Sequence, residues 1–213
     1  MRLQCAQISN GINSEYRILD NSTTLCSVII PLEILNQKID LYDNFGNVLY
    51  KLSFSPSEVY NNRKRQRREE RIKPFSIYTA DGENIGNLYG KRTKKFNGYL
   101  YYELNIYDNL YRIYEIGLGK EGIKIVIEKD GEQVALIEKG TVVRNFNDTY
   151  DLYIKGDKGA LPVILFTVYY DNIRFGNRGV VGRNIKEVYY FYSTNKELKA
   201  KYNPNFKNII RLK

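Results

Sequence analysis

The chain has 213 residues but no histidine, no tryptophan, one methionine, five prolines and two cysteines. Without histidine, Ser-His-Asp and Cys-His nucleophile arrangements are excluded in their usual forms. The commonest metal ligand is also missing, and Cys5 and Cys26 cannot build a structural zinc site alone. Two cysteines do not make a disulfide scaffold, so both are expected as free thiols. No stretch approaches the roughly 20 apolar residues of a membrane-spanning helix. Residues 1–13 are polar and lack the apolar run of a signal peptide, and Cys5 has no such run before it, so neither a signal peptide nor a lipoprotein anchor is expected. The expected compartment is the cytoplasm.

Tyrosine is abundant, with 20 residues beside 9 Phe. Aromatic and β-branched side chains suit the pleated, half-buried surface of strands. One pattern recurs: alternating apolar residues, an acidic turn with glycine, then more alternation. Ile39 and Leu41 lead through Asp43-Asn44-Phe45-Gly46 to Val48, Tyr50 and Leu52. Ile77 leads through Asp81-Gly82 to Ile85 and Leu88, and Ile123, Ile125 and Ile127 lead through Asp130-Gly131 to Val134 and Leu136. Asp-Gly permits the positive φ angles of tight hairpins, and Asn97-Gly98 adds an Asn-Gly turn. Leu100, Tyr102, Leu104 and Ile106 share one strand face, and a turn at Asp108-Asn109 precedes 110–116. Tyr150, Leu152 and Ile154 share another face. Short strands joined by regular turns indicate a sandwich or barrel.

Residues 159–171 are almost wholly apolar. Propensity favours a buried strand, whereas Pro162 fits the first turn of a helix better than a central strand. Periodicity leaves both open. Asp171, which ends the segment, is expected to bond local backbone groups or a nearby cation. Beyond it, aromatic and charged residues over 185–202 have helix-compatible spacing, with Pro204 as the stop.

Strand, Asp-Gly turn and strand, repeated and closing on an apolar segment before Asp171-Asn172-Ile173, resembles the tubby C-terminal-like superfamily. That group includes LURP-one-related proteins, phospholipid scramblases and small bacterial relatives. The resemblance spans about 75–173 and rests on 77–85, 111–117, 123–137, 150–154 and 161–171. It implies a mainly β fold: a closed antiparallel barrel of about twelve strands around a central hydrophobic helix at about 160–170. A barrel sealed in this way should hold no pocket that gathers acidic or polar side chains. The expected organisation is one barrel domain over 1–173, with a basic insertion at 62–73, and a partly helical C-terminal extension over 174–213.

The formal net charge is +9, and it is concentrated. Within 62–73, Arg63, Lys64, Arg65, Arg67, Arg68, Arg71 and Lys73 face only Glu69 and Glu70, a net +5. These seven residues are the candidate anionic-ligand site. The bland reading is a solvated connection kept soluble by charge. The functional reading is an anionic phospholipid surface, which would place the protein peripherally at the membrane. The superfamily resemblance favours it, because tubby domains bind phosphoinositides and scramblases act on phospholipids. Nucleic acid is the alternative, although no reading motif accompanies the charge. A third reading is a structural protein that meets a protein partner through its C-terminal tail.

Other motifs read as structure. Asp43, Asp81 and Asp130 are turn residues rather than a catalytic carboxylate pair. The stretch Gly117-Leu118-Gly119-Lys120-Glu121-Gly122 lacks phosphate-loop spacing and joins two strands. Tyr99, Tyr101 and Tyr102 fit alternation in a barrel better than a base-stacking platform. The expected protein is a non-enzymatic binding or scaffold module without cofactor or metal.

Overall fold

The computed structural model describes residues 1–31, 37–54, 74–93, 98–156, 159–176 and 185–211. Eleven strands precede a short ribbon strand: β1 (Arg2–Asn10), β2 (Asn13–Asp20), β3 (Thr23–Pro31), β4 (Lys38–Tyr42), β5 (Val48–Phe54), β6 (Phe75–Thr79), β7 (Asn84–Arg92), β8 (Leu100–Ile106), β9 (Asn109–Gly119), β10 (Ile123–Lys129) and β11 (Glu132–Lys139). The ribbon strand β12 (Val142–Arg144) and then β13 (Thr149–Ile154) follow. Each of β1 to β11 pairs antiparallel with its sequence neighbour, and β13 closes the circle between β11 and β1. The result is a closed twelve-stranded antiparallel barrel, as the hairpin pattern and the superfamily resemblance lead one to expect. Closure leaves the wall without an open edge.

Local chemistry makes the hairpins. Asp130 and Gly131 both have positive φ, 52° and 82°, so only two residues turn β10 into β11. The β8–β9 turn is centred on Tyr107 and Asp108, one residue before the expected position. Asn109 caps it by donating from Nδ2 to the Tyr107 carbonyl. Asp43 Oδ1 accepts from the Phe45 and Asn47 amides, both at 2.8 Å, which gives that aspartate its structural role.

Inside the wall runs α1 (Ala160–Arg174). The apolar segment is therefore a helix, four residues longer than the expected limit of 170, and Pro162 lies in its first turn. Residues Pro162 to Asn172 are all buried, with no solvent-facing side among them. A helix apolar all round is stable only when enclosed all round. Phe166 packs edge-on to Tyr102 at 5.1 Å between ring centroids, and Tyr169 packs edge-on to Phe75 at 5.1 Å. Tyr102, Leu104 and Ile106 point inward to meet the helix, which confirms the expected strand face. No described helix is long and apolar enough to cross a membrane.

The extension forms no long helix over 185–202. It is extended first, with β14 (Lys186–Val188) pairing with β12 and β15 (Phe191–Tyr192) pairing with the end of β9. Among the described residues of the extension, α2 (Lys196–Lys199) and α3 (Phe206–Arg211) are the helical parts, and Pro204 precedes α3 rather than ending a helix. The alternation of Tyr189 and Phe191 with Tyr190 and Tyr192 satisfies a strand period as well as a helical one. Gly117 admits β15, since a Cβ there would meet the Phe191 backbone at 2.6 Å. Leu198 and Phe206 then pack on the barrel's outer face against Tyr114, Ile116, Val126, Leu136 and Tyr153. Lys201 pairs with Glu128 at 3.0 Å, and Lys207 with Glu138 at 2.6 Å.

Phe166→Ala should lose about 3–5 kcal/mol of unfolding free energy, because the enclosed site cannot collapse around the void. Phe45→Ala, at a turn position 91% exposed, should stay within about 0.5 kcal/mol. Urea denaturation followed by tyrosine fluorescence measures both. Equal losses would contradict a helix packed as core.

Candidate functional site

The two ends of the barrel differ. One end carries the tight turns after β2, β4, β6, β8 and β10. The other carries the tight turns after β1 and β9 and the longer connections after β3, β5, β7 and β11, and α1 emerges there. The connection over 55–74 leaves β5 at Phe54 and returns at Phe75, which are paired neighbours at this second end. Arg63, Lys64, Arg65, Arg67, Arg68, Arg71 and Lys73 belong to that connection and lie outside the described residues. Exposed Arg92, Lys120, Arg144 and Lys186 belong to the same end.

Just inside this end the core becomes polar. Asp171, on the last turns of α1, is fully buried. Its carboxylate accepts hydroxyl hydrogens from Tyr16 on β2 and Tyr150 on β13. Among the described residues, its side chain meets neither local backbone donors nor a cation directly, contrary to expectation; its main-chain carbonyl serves the local turn, accepting from Phe175 and Gly176. Because β13, β1 and β2 are adjacent, two tyrosines from strands flanking β1 converge on one carboxylate. Burial pushes the Asp171 carboxyl up from the ordinary 3.8 to about 7, helped by the charge of Asp148; the two tyrosine bonds and Lys139 oppose the shift. Burial and the same carboxylate raise both tyrosines well above their ordinary value.

Next to this cluster, Lys139 on β11 forms a buried ion pair with Asp148, which precedes β13. The Asp148 amide donates to Gln7 Oε1 at 3.1 Å, while Gln7 Nε2 has no hydrogen-bond partner. Cys5 and Cys26 are both buried free thiols, on strands separated by β2. Burial raises Cys26 to about 11 and Cys5 well above its usual value, so neither is poised as a nucleophile.

A hollow of about 280 Å³ opens at the mouth where α1 exits, lined by Val143, Phe146, Asp148, Arg174, Phe175, Glu187, Tyr189 and Phe191. A barrel sealed by its helix was expected to have no such gathering of charged side chains. The hollow exists because the β12–β14 ribbon and β15 build a second wall beyond the barrel rim. Sequence reasoning gave no role to Lys139, Asp148, Glu187 or the ribbon. The only local signal was charge within otherwise apolar alternation.

The remaining candidates stay structural. Gly117 to Gly119 end β9, and 120–122 turn it into β10, strand to strand. Tyr102 faces the helix, whereas Tyr101 stacks on Tyr114 outside the wall, so the tyrosine run forms no continuous platform. Among the described residues, no group of three or more Cys, Asp or Glu side chains is placed to hold a metal ion. No family model matches the chain, and neither a curated protein nor a solved structure matches it.

Asp171 carries a pH signature. Its folded value lies above its unfolded one, so its contribution to stability is full below about pH 4 and is lost as pH rises through about 7. Asp171→Asn keeps the size but removes the titration. Urea midpoints should show little difference at pH 5, where the folded carboxyl is neutral and the amide offers a matching acceptor and donor, and a smaller fall from pH 5 to pH 8 in the variant than in wild type. The same fall in both proteins would refute this assignment.

Proposed function

We propose that this protein is a non-enzymatic binding or scaffold module of tubby-like architecture, contacting anionic phospholipid head groups through the basic connection between β5 and β6. The observation that carries the reading is the net +5 over 62–73, tethered at the end of the barrel where the longer connections gather. The barrel interior supports it by being core: the helix occupies the lumen, so binding falls to the ends and outer face. Loops held at one end of a rigid scaffold are the usual carriers of function. The described part of the tail supports it too, since Leu198 and Phe206 are already engaged with the barrel's own wall.

Each Lys or Arg near an anionic surface contributes about 1 kcal/mol, so five net charges give useful but salt-sensitive adhesion. Nucleic acid remains the competing anion, with the same charge and the same salt dependence.

Sedimentation with vesicles containing phosphatidylserine tests the proposal. At low salt the wild type should sediment with them, and binding should weaken steeply as salt rises. A variant with Arg63, Lys64, Arg65, Arg67 and Arg68 changed to Ser should remain in the supernatant. Equal sedimentation of both defeats the proposal. Salt-dependent binding to DNA or RNA without binding to vesicles puts the nucleic-acid reading in its place.

A further inference from the structure

We propose that the hollow at the helix exit binds a small organic ammonium group, held by aromatic faces and the Glu187 carboxylate. Phe146, Phe175, Tyr189 and Phe191 supply its rings. Phe175 and Phe191 meet edge-on at 5.9 Å, and Tyr189 lies 6.4 Å from Phe191, so three rings form one continuous wall. Aromatic faces attract cations through the ring quadrupole, most strongly where water is displaced. The molecule already shows this chemistry: the Lys139 ammonium lies 4.5 Å from the Phe175 centroid while pairing with Asp148.

Charge at the hollow favours a cation over an anion. Asp148 is neutralised by Lys139, and Arg174 reaches Glu115 at 3.4 Å. Glu187 accepts the Tyr189 hydroxyl, and no cationic side chain among the described residues pairs with it. Register explains this. Glu187 is paired with buried Val143 on the hollow side of the ribbon, while the neighbouring pair, Lys186 and Arg144, is exposed. The net positive charge of the chain opposes cations at long range, but salt screens it beyond about 8 Å at physiological ionic strength. One carboxylate, three rings and a hollow of about 280 Å³ suit an ammonium with a short apolar substituent.

Titration of the isotopically labelled full chain with choline, followed by amide chemical shifts, is the test. Its uncharged carbon isostere, 3,3-dimethylbutan-1-ol, serves as the control. Saturable shifts should map to 143–148 and 187–191 with choline only. Glu187→Gln and Phe191→Leu should each weaken binding about five-fold or more, with the remaining spectrum preserved. The variant with five basic residues changed to Ser should bind choline as wild type does, which separates this site from the basic segment. Phosphatidylcholine vesicles form the second arm. Response to free choline assigns a soluble ligand, and response to vesicles alone assigns a lipid headgroup. Response to neither, equal binding of the isostere, or unchanged affinity in Glu187→Gln overturns the proposal.

Discussion

A helix with apolar side chains on every face has to be surrounded on every face, and α1 imposes that requirement on the rest of the chain. An open sheet would cover one side of it. Twelve strands closed by the β9–β10 and β11–β13–β1 pairings cover all sides and leave no edge. Closure also decides where binding chemistry can sit. Phe75, Tyr102, Phe166, Tyr169 and Tyr170 fill the lumen, so the centre is packed core rather than a cavity for ligands.

Enclosure is costly where α1 becomes polar. Asp171 is buried at 0% exposure, and among the described residues no cation bonds to it. Its two oxygens meet Tyr16 and Tyr150, and this convergence fixes both the rotation of the helix and its depth in the barrel. Sliding or turning α1 would strand a buried carboxylate and two hydroxyls at once. The neighbouring Lys139–Asp148 pair continues the polar layer to the rim, where the ribbon wall begins. The apolar helix thus supplies most of the burial, and the polar layer selects one position among the many that apolar contacts alone would tolerate.

The extension solves a second burial problem. The outer faces of β9, β10, β11 and β13 carry Tyr114, Ile116, Val126, Leu136 and Tyr153, too many apolar groups to leave in water. Leu198 and Phe206 cover them, and Lys201 and Lys207 hold the cover in place through Glu128 and Glu138. Lys201 also lies 4.8 Å from the Tyr114 ring and Lys207 lies 5.3 Å from Tyr153, so each ammonium serves a carboxylate and an aromatic face together.

Turn chemistry was legible because it is local: Asp130-Gly131 needs only its own φ angles to make a hairpin. The alternation of Tyr102, Leu104 and Ile106 declared their inward face for the same reason. Strands β1 and β2 were not legible, since Gln7 and Ser14 hold inward positions that apolar periodicity expects to be filled by hydrocarbon. Composition by itself determined that no histidine chemistry operates here, that the hairpins repeat, and that 159–171 must be buried. Propensity and periodicity left this segment open between helix and strand; the resemblance implied a helix, and the tertiary structure has one because the surrounding wall encloses it on every side. The tertiary structure alone brought Tyr16 to Asp171 across 155 positions of chain and set Glu187 among aromatic rings. Backbone preference acts over a few neighbouring residues, whereas these contacts exist only after distant strands have closed into one wall.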